Sequence, residues 1–250
     1  MQRFDRHGLA AHRLVLTTFS ITARCPRTGM LGVGVCTAIP AVGAICPFVK
    51  PRLGAIASQS FANPYLGIDG LALLEQGHTA HSALDQLIAA DPGRARRQLS
   101  VVDGTGNAAA FTGQDCIPWH GDHVGPGYVV AANMMVDATT VEAMVEAFEA
   151  SRDEALPERL LRALEAGDAT GGDYRGRQSA ALLVYDTEAY PSHSLRVDEH
   201  RQPVPELRRI FEVCQQQLYP WLGTLPTRTN PLGTADPSPV SKLRKTPGQR

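Results

Sequence analysis

The chain has 250 residues, 43% hydrophobic and 20% charged, with 24 basic against 25 acidic side chains. That length buries a large apolar core, and a formal net charge of -1 leaves no basic surplus to neutralise phosphates or anionic lipid. Nucleic acid and membrane surfaces are therefore excluded as first readings, and no stretch reaches the roughly 20 uninterrupted apolar residues of a membrane helix.

Residues 1–17 carry Arg3, Arg6 and Arg13, and His12 with Arg13 interrupts their apolar positions, so a secretory h-region is not expected and the protein is read as soluble and cytoplasmic. From Thr18, Thr18-Phe19-Ser20-Ile21-Thr22-Ala23 alternates with period two, which predicts a half-buried strand with Phe19, Ile21 and Ala23 inward. A turn at Pro26-Arg27-Thr28-Gly29 returns the chain as a second strand over 31–35, where glycine alternates with Leu31, Val33 and Val35. The apolar run from Ile39 to Phe48 is longer than one short strand needs and is read as surface for a partner. Gly54 to Ser60 is a strand of small residues ending at the loop Phe61-Ala62-Asn63-Pro64.

Two helices follow, 68–76 closed by Gly77 and 80–90 opened by Thr79 and stopped before Pro92. A hairpin is expected over 99–112 around Asp103-Gly104-Thr105-Gly106-Asn107, and a strand over 127–134. Thr139-Thr140-Val141-Glu142 reads as a capping box opening a helix, another helix covers 157–166, and 179–185 is a late apolar strand. His193, Asp198 and His200 are read as loop and capping residues before a last amphipathic helix marked by Leu207, Ile210, Phe211 and Cys214. Residues 18–219 are taken as the domain, and 220–250, rich in Pro, Thr, Gly, Arg and Lys, as a disordered tail. Strands and helices in blocks argue for antiparallel sheets with helices outside.

Polar residues interrupting apolar strands are either mutually paired or line a site. The candidates are Thr17-Thr18, then Ser58, Gln59 and Ser60 with Asn63, then Asn133, and the segment 171–179 containing Asp173, Arg175, Gln178 and Ser179. The five cysteines show no C-x-x-C pair, so free thiols are expected, with Cys116 a minor nucleophile candidate. His120 and His123 are read as a polar loop in preference to a metal site, and no metal or other cofactor is expected. No Walker loop, G-x-S-x-G elbow or H-E-x-x-H helix occurs.

The runs Thr18-Phe19-Ser20-Ile21-Thr22-Ala23-Arg24, Gly54-Ala55-Ile56-Ala57-Ser58-Gln59, Asn63-Pro64-Tyr65-Leu66-Gly67, Cys116-Ile117-Pro118-Trp119 and Gly171-Gly172-Asp173-Tyr174-Arg175-Gly176-Arg177-Gln178-Ser179 resemble, in order, the DUF1028 family, which is placed in the N-terminal nucleophile (Ntn) hydrolase superfamily. The resemblance implies an α+β fold, a four-layer αββα sandwich of two antiparallel sheets with helices on both outer faces. It implies Thr18 as nucleophile with its own α-amine as base, Asn133 as oxyanion donor, Asp173 with Arg175 orienting the amine or gripping a substrate carboxylate, and a small-molecule amide, lactam or peptide-like substrate contacted by Ser58, Gln59, Ser60, Asn63, Gln178 and Ser179. Seventeen residues precede Thr18, so that chemistry requires cleavage or a start nearer Val15. The other readings are a non-catalytic ligand-binding or structural oligomer and, more remotely, a metal-dependent hydrolase using His120 and His123. A two-fold homodimer is expected as the commonest soluble assembly.

Overall fold

Small hydroxyl side chains alternating with apolar ones let a strand be covered on both faces, and this sets the plan of the molecule. The computed structural model describes residues 18–171 and 176–234. In chain order the strands are β1 (Thr18–Arg24), β2 (Leu31–Thr37), β3 (Pro47–Lys50), β4 (Gly54–Ser60), β5 (Arg97–Asp103), β6 (Ala108–Thr112), β7 (His120–Gly125), β8 (Tyr128–Asn133), β9 (Ser179–Tyr185) and β10 (His193–Val197). The helices are α1 (Pro64–Glu75), α2 (Ala80–Ala90), α3 (Thr139–Ala150), α4 (Leu156–Ala169), α5 (Pro203–Gln217) and the short α6 (Tyr219–Leu222). One sheet runs β10-β9-β2-β1-β8-β7 and the other β3-β4-β5-β6, with every pairing antiparallel.

Three separate apolar clusters define four layers. Phe19, Ile21, Val130 and Leu182 pack under α3, α4 and α5 through Phe148, Leu160, Leu164 and Leu207. Leu31, Val33, Val35, Ala55, Val102 and Val129 meet between the sheets. Ile56, Leu99 and Val101 lie under α1 and α2 through Leu66, Leu74, Leu84 and Leu87. The expected αββα sandwich is therefore observed. The glycines of β2 explain how closely α4 sits: a Cβ at Gly32 would lie 2.8 Å from Leu160 Cδ1, and one at Gly34 would lie 3.1 Å from Leu164 Cδ1.

Several local expectations are corrected. β1 is buried on both faces: Phe19, Ile21 and Ala23 meet the helices, while Thr18, Ser20 and Thr22 face the second sheet, where Thr22 Oγ1 and Ser100 Oγ lie 2.8 Å apart. Helix α1 starts four residues earlier than its periodicity suggested, because Asn63 Oδ1 accepts from Tyr65 N and Pro64 takes the first helical position. The capping box is not formed. Thr139 is already helical, and Asp137 Oδ1 accepts from its N–H at 2.9 Å instead. His120 and His123 belong to strand β7, and among the described residues no cluster of metal-ligating side chains occurs.

His193 opens β10, stacked on Phe211 with the Tyr219 ring tilted against it, and burial pushes its pKa down to about 4. The run from Ile39 to Phe48 holds a 3-10 turn (Val42–Ala44) and the start of β3, with Val42 and Cys46 in the inter-sheet core and Pro40 and Ala44 exposed. Of the segment expected as a tail, residues 220–234 make defined contacts, including Tyr190 Oη donating to Pro226 O; residues 235–250 lie outside the described residues. No described helix is long and apolar enough to cross a membrane.

Candidate functional site

Residues directly opposite on neighbouring antiparallel strands project from the same face. The register therefore builds a polar row across one end of the larger sheet: Ser179 opposite Thr37, Thr37 opposite Thr18, and Thr18 opposite Asn133. The smaller sheet carries a second row, Gln59 opposite Gln98 and Gln98 opposite Thr112. The two rows face each other between the sheets, where Asn133 Nδ2 donates to Gln98 Oε1 at 2.9 Å.

Thr18 is 4% exposed and its hydroxyl lies 3.0 Å from that of Thr37. Beside them is a cavity of about 20 Å³, lined also by Ser58, Gln59, Ser60 and Cys46. That space suits one water-sized group or the tip of a larger molecule. Gln98 is the hub of the opposite wall. The two hydrogens of its Nε2 are shared among Ala132 O at 3.0 Å, Gly121 O at 3.1 Å and Thr112 Oγ1 at 2.9 Å, while its Oε1 accepts from Gln59 Nε2 at 2.7 Å. Gln59 Oε1 and Asn133 Oδ1 are buried with no hydrogen-bond partner among the described residues. Each such atom costs about 1–3 kcal/mol unless a water or a ligand meets it.

The remaining candidates have structural work that the geometry makes plain. Ser58 Oγ donates to Asn63 O at 2.9 Å and accepts from Asn63 N, closing the loop after β4, while the Asn63 side chain caps α1. Ser179 Oγ donates to Ile39 O at 2.5 Å and accepts from Val42 N at 3.1 Å, fixing the segment over the cavity. Gln178 contributes its backbone, donating to Thr37 O at 2.8 Å. Asp173 and Arg175 lie outside the described residues. For Asn133, one hydrogen of Nδ2 is engaged by Gln98 Oε1, and the side chain retains a second N–H and the acceptor Oδ1.

Burial makes two of the thiols, Cys46 and Cys116, poor nucleophiles. All five cysteines are free. Burial pushes the Cys46 thiol up to about 12, and burial also raises that of Cys116, whose Sγ donates to Arg97 O at 3.3 Å. A larger groove of about 500 Å³ lies between α1 and α2, lined by Asn63, Tyr65, Asp69, Gln86 and Asp91 among others. It shares no lining residue with the Thr18 cavity, and its Asp91 is occupied by Arg97 at 2.8 Å.

Two residues of the site escaped the sequence reading. Thr37 follows from arithmetic on the first hairpin, since a turn between residues 24 and 31 pairs 18 with 37. Gln98 had a weaker signal, a lone amide in an apolar strand, two residues before Ser100 on the same face.

Residues 18–207 match the family of unknown function DUF1028. The crystal structure of protein SPO2555 from Silicibacter pomeroyi, itself described under DUF1028, is similar at 32% identity with a TM-score of 0.80, covering 88% of this chain and all of that one. A more distant likeness is to Anbu (ancestral beta-subunit) from Yersinia bercovieri, at 14% identity and a TM-score of 0.41, covering 83% of this chain and 98% of that one. No curated protein matches. With its family match running through most of the sandwich and a close structural relative over its whole length, the chain belongs to the DUF1028 family.

Proposed function

We propose that this protein is an Ntn hydrolase that cleaves a C–N bond in a small molecule, with Thr18 as nucleophile once the peptide bond before it is broken. The observation that carries the reading is the placement of the Thr18 hydroxyl, at the start of a central strand and on the wall of a small cavity that it shares with Thr37, Gln59 and Ser60. A hydroxyl is a weak nucleophile unless a neighbouring base takes its proton, and an α-amine with a pKa near 8 suits that task at neutral pH. The freed amine of Thr18 accepts the Oγ1 proton, Oγ1 bonds to the substrate carbonyl carbon, the C–N bond breaks, and the leaving nitrogen takes the proton. Water then hydrolyses the resulting ester and restores the hydroxyl. Asn133 Oδ1, a buried acceptor on the residue beside Thr18, is assigned to hold a hydrogen of the freed amine.

The test compares Thr18→Ala and Thr18→Ser in the processed protein, using a library of small amides and intact-mass detection of an acyl adduct. Thr18→Ala is expected to abolish turnover with its unfolding midpoint almost unchanged, and Thr18→Ser to retain part of the rate, because only a methyl group is lost. Turnover by the alanine variant on any substrate that the unsubstituted protein accepts refutes the mechanism.

A further inference from the structure

The amide side chains around Thr18 have a fixed polarity, set from the backbone outward. Ala132 O and Gly121 O can only accept, so the end of Gln98 that meets them is its NH2 group. Gln98 Oε1 then faces the other way and can only accept, so Gln59 and Asn133 must each turn their NH2 toward it. Ala131 O, 3.3 Å from Gln59 Nε2, holds that residue in the same sense. Gln59 Oε1 is thereby left as a buried acceptor without a partner among the described residues, on a side chain that lines the Thr18 cavity.

Of the other polar groups there, the Thr18 and Thr37 hydroxyls meet each other and Ser58 Oγ closes its own loop, while Ser60 Oγ, a hydroxyl that can both donate and accept, has no partner among the described residues. No charged residue lines the cavity among the described residues, so a cation or a carboxylate entering it would lose hydration without gaining a counter-charge. We infer that the substrate presents a neutral N–H at this point: its scissile nitrogen carries a hydrogen that Gln59 Oε1 accepts, as in a primary or secondary amide, an N–H lactam or a ureido group, and tertiary amides and free carboxylates are rejected. The inference rests on Thr18 being the reacting residue, since an N–H beside the scissile carbonyl is the donor that reaches the cavity together with the bond to be broken. A site built to hydrogen-bond a particular group discriminates strongly against the analogue that lacks it, because the buried partner is then left unpaired.

The experiment is protein-detected NMR on the isotopically labelled full chain, titrated with acetamide, N,N-dimethylacetamide and acetate as probes. Acetamide is expected to shift the signals of Thr18 and of the Gln59 backbone and side-chain amides, with half-saturation at least about tenfold lower than for either other probe. In Gln59→Met, which keeps the chain length and removes the acceptor, that preference is expected to collapse to within about twofold. Equal response to dimethylacetamide or acetate, or silence of all three probes at these signals, overturns the inference. If the methionine variant fails to fold, the three probes on the unsubstituted chain decide alone. Failure of the hydrolase reading is separately visible: an electrophile that does not label a freed Thr18, in a protein that still prefers acetamide, removes the mechanism and leaves the N–H selectivity standing.

Discussion

Asp103 is the carboxylate on which the hairpin between β5 and β6 turns, and Asp103→Asn measures what its charge contributes. Oδ1 accepts from the backbone N–H groups of Thr105, Gly106 and Asn107 and from Thr105 Oγ1, at 2.7–3.0 Å; Oδ2 accepts from Asn107 Nδ2 at 2.8 Å and from Ala80 N, at the start of α2, at 3.0 Å. Burial works to raise its pKa, but these donors outweigh it and hold the carboxyl down at about 2, against an ordinary 3.8. Because the folded value is depressed, the stabilisation is fully present above the ordinary value and is lost as pH falls toward 2. At 1.36 kcal/mol per unit the shift corresponds to about 2 kcal/mol. An asparagine in its best rotamer still sets an NH2 against Ala80 N–H, which adds about 1 kcal/mol for the lost bond. The variant should therefore be about 3 kcal/mol less stable at pH 7, a melting point lower by roughly 6–12 °C for a chain of this size. Urea unfolding followed by circular dichroism at pH 7 and pH 3 checks this, and the gap between the two proteins should narrow by about 1 kcal/mol at the lower pH. A gap below about 0.5 kcal/mol at pH 7, or one that widens on acidification, refutes the reasoning.

His193 gives a second test of the same sign, now from a buried base. A base whose folded pKa is pushed down to about 4 favours the fold above its ordinary 6.5 and loses that contribution as pH falls toward 4, so about 2 kcal/mol should disappear between pH 7 and pH 5; in His193→Phe, urea midpoints at those two pH values should differ correspondingly less. Gly113 lies against the backbone oxygens of Arg94 and Ala95, which cannot move aside as a side chain would. Gly113→Ala should cost about 1–3 kcal/mol, read as a fall in melting temperature, and an unchanged melting point would show that the 93–97 turn yields freely.

What could be read from the sequence divides along physical lines. The hairpins β1–β2 and β5–β6 were legible because alternation and turn residues are local, and the blockwise order of elements carried the layer plan. Burial was not local. Thr18, Ser20 and Thr22 looked like a solvent face, and only the second sheet, built from residues far along the chain, turns that face inward. His193 was misplaced because Pro191-Ser192-His193-Ser194 has the composition of a loop, while its strand character depends on pairing with β9. For the candidate site, Ser58, Gln59, Ser60 and Asn133 stood out as polar residues in apolar strands. The hub at Gln98 emerged only when the register of both sheets was known.

The position of β1 has a mechanical consequence. Thr18 is paired with Thr37 on one side and Asn133 on the other, in the middle of six strands. A chain end at an edge strand frays. One created at Thr18 would stay clamped between two neighbours whose own hydrogen bonds extend outward to β9 and β7. Severing the preceding peptide would thus leave a terminus with the rigidity of a sheet interior, its atoms held in register without any segment having to fold around them.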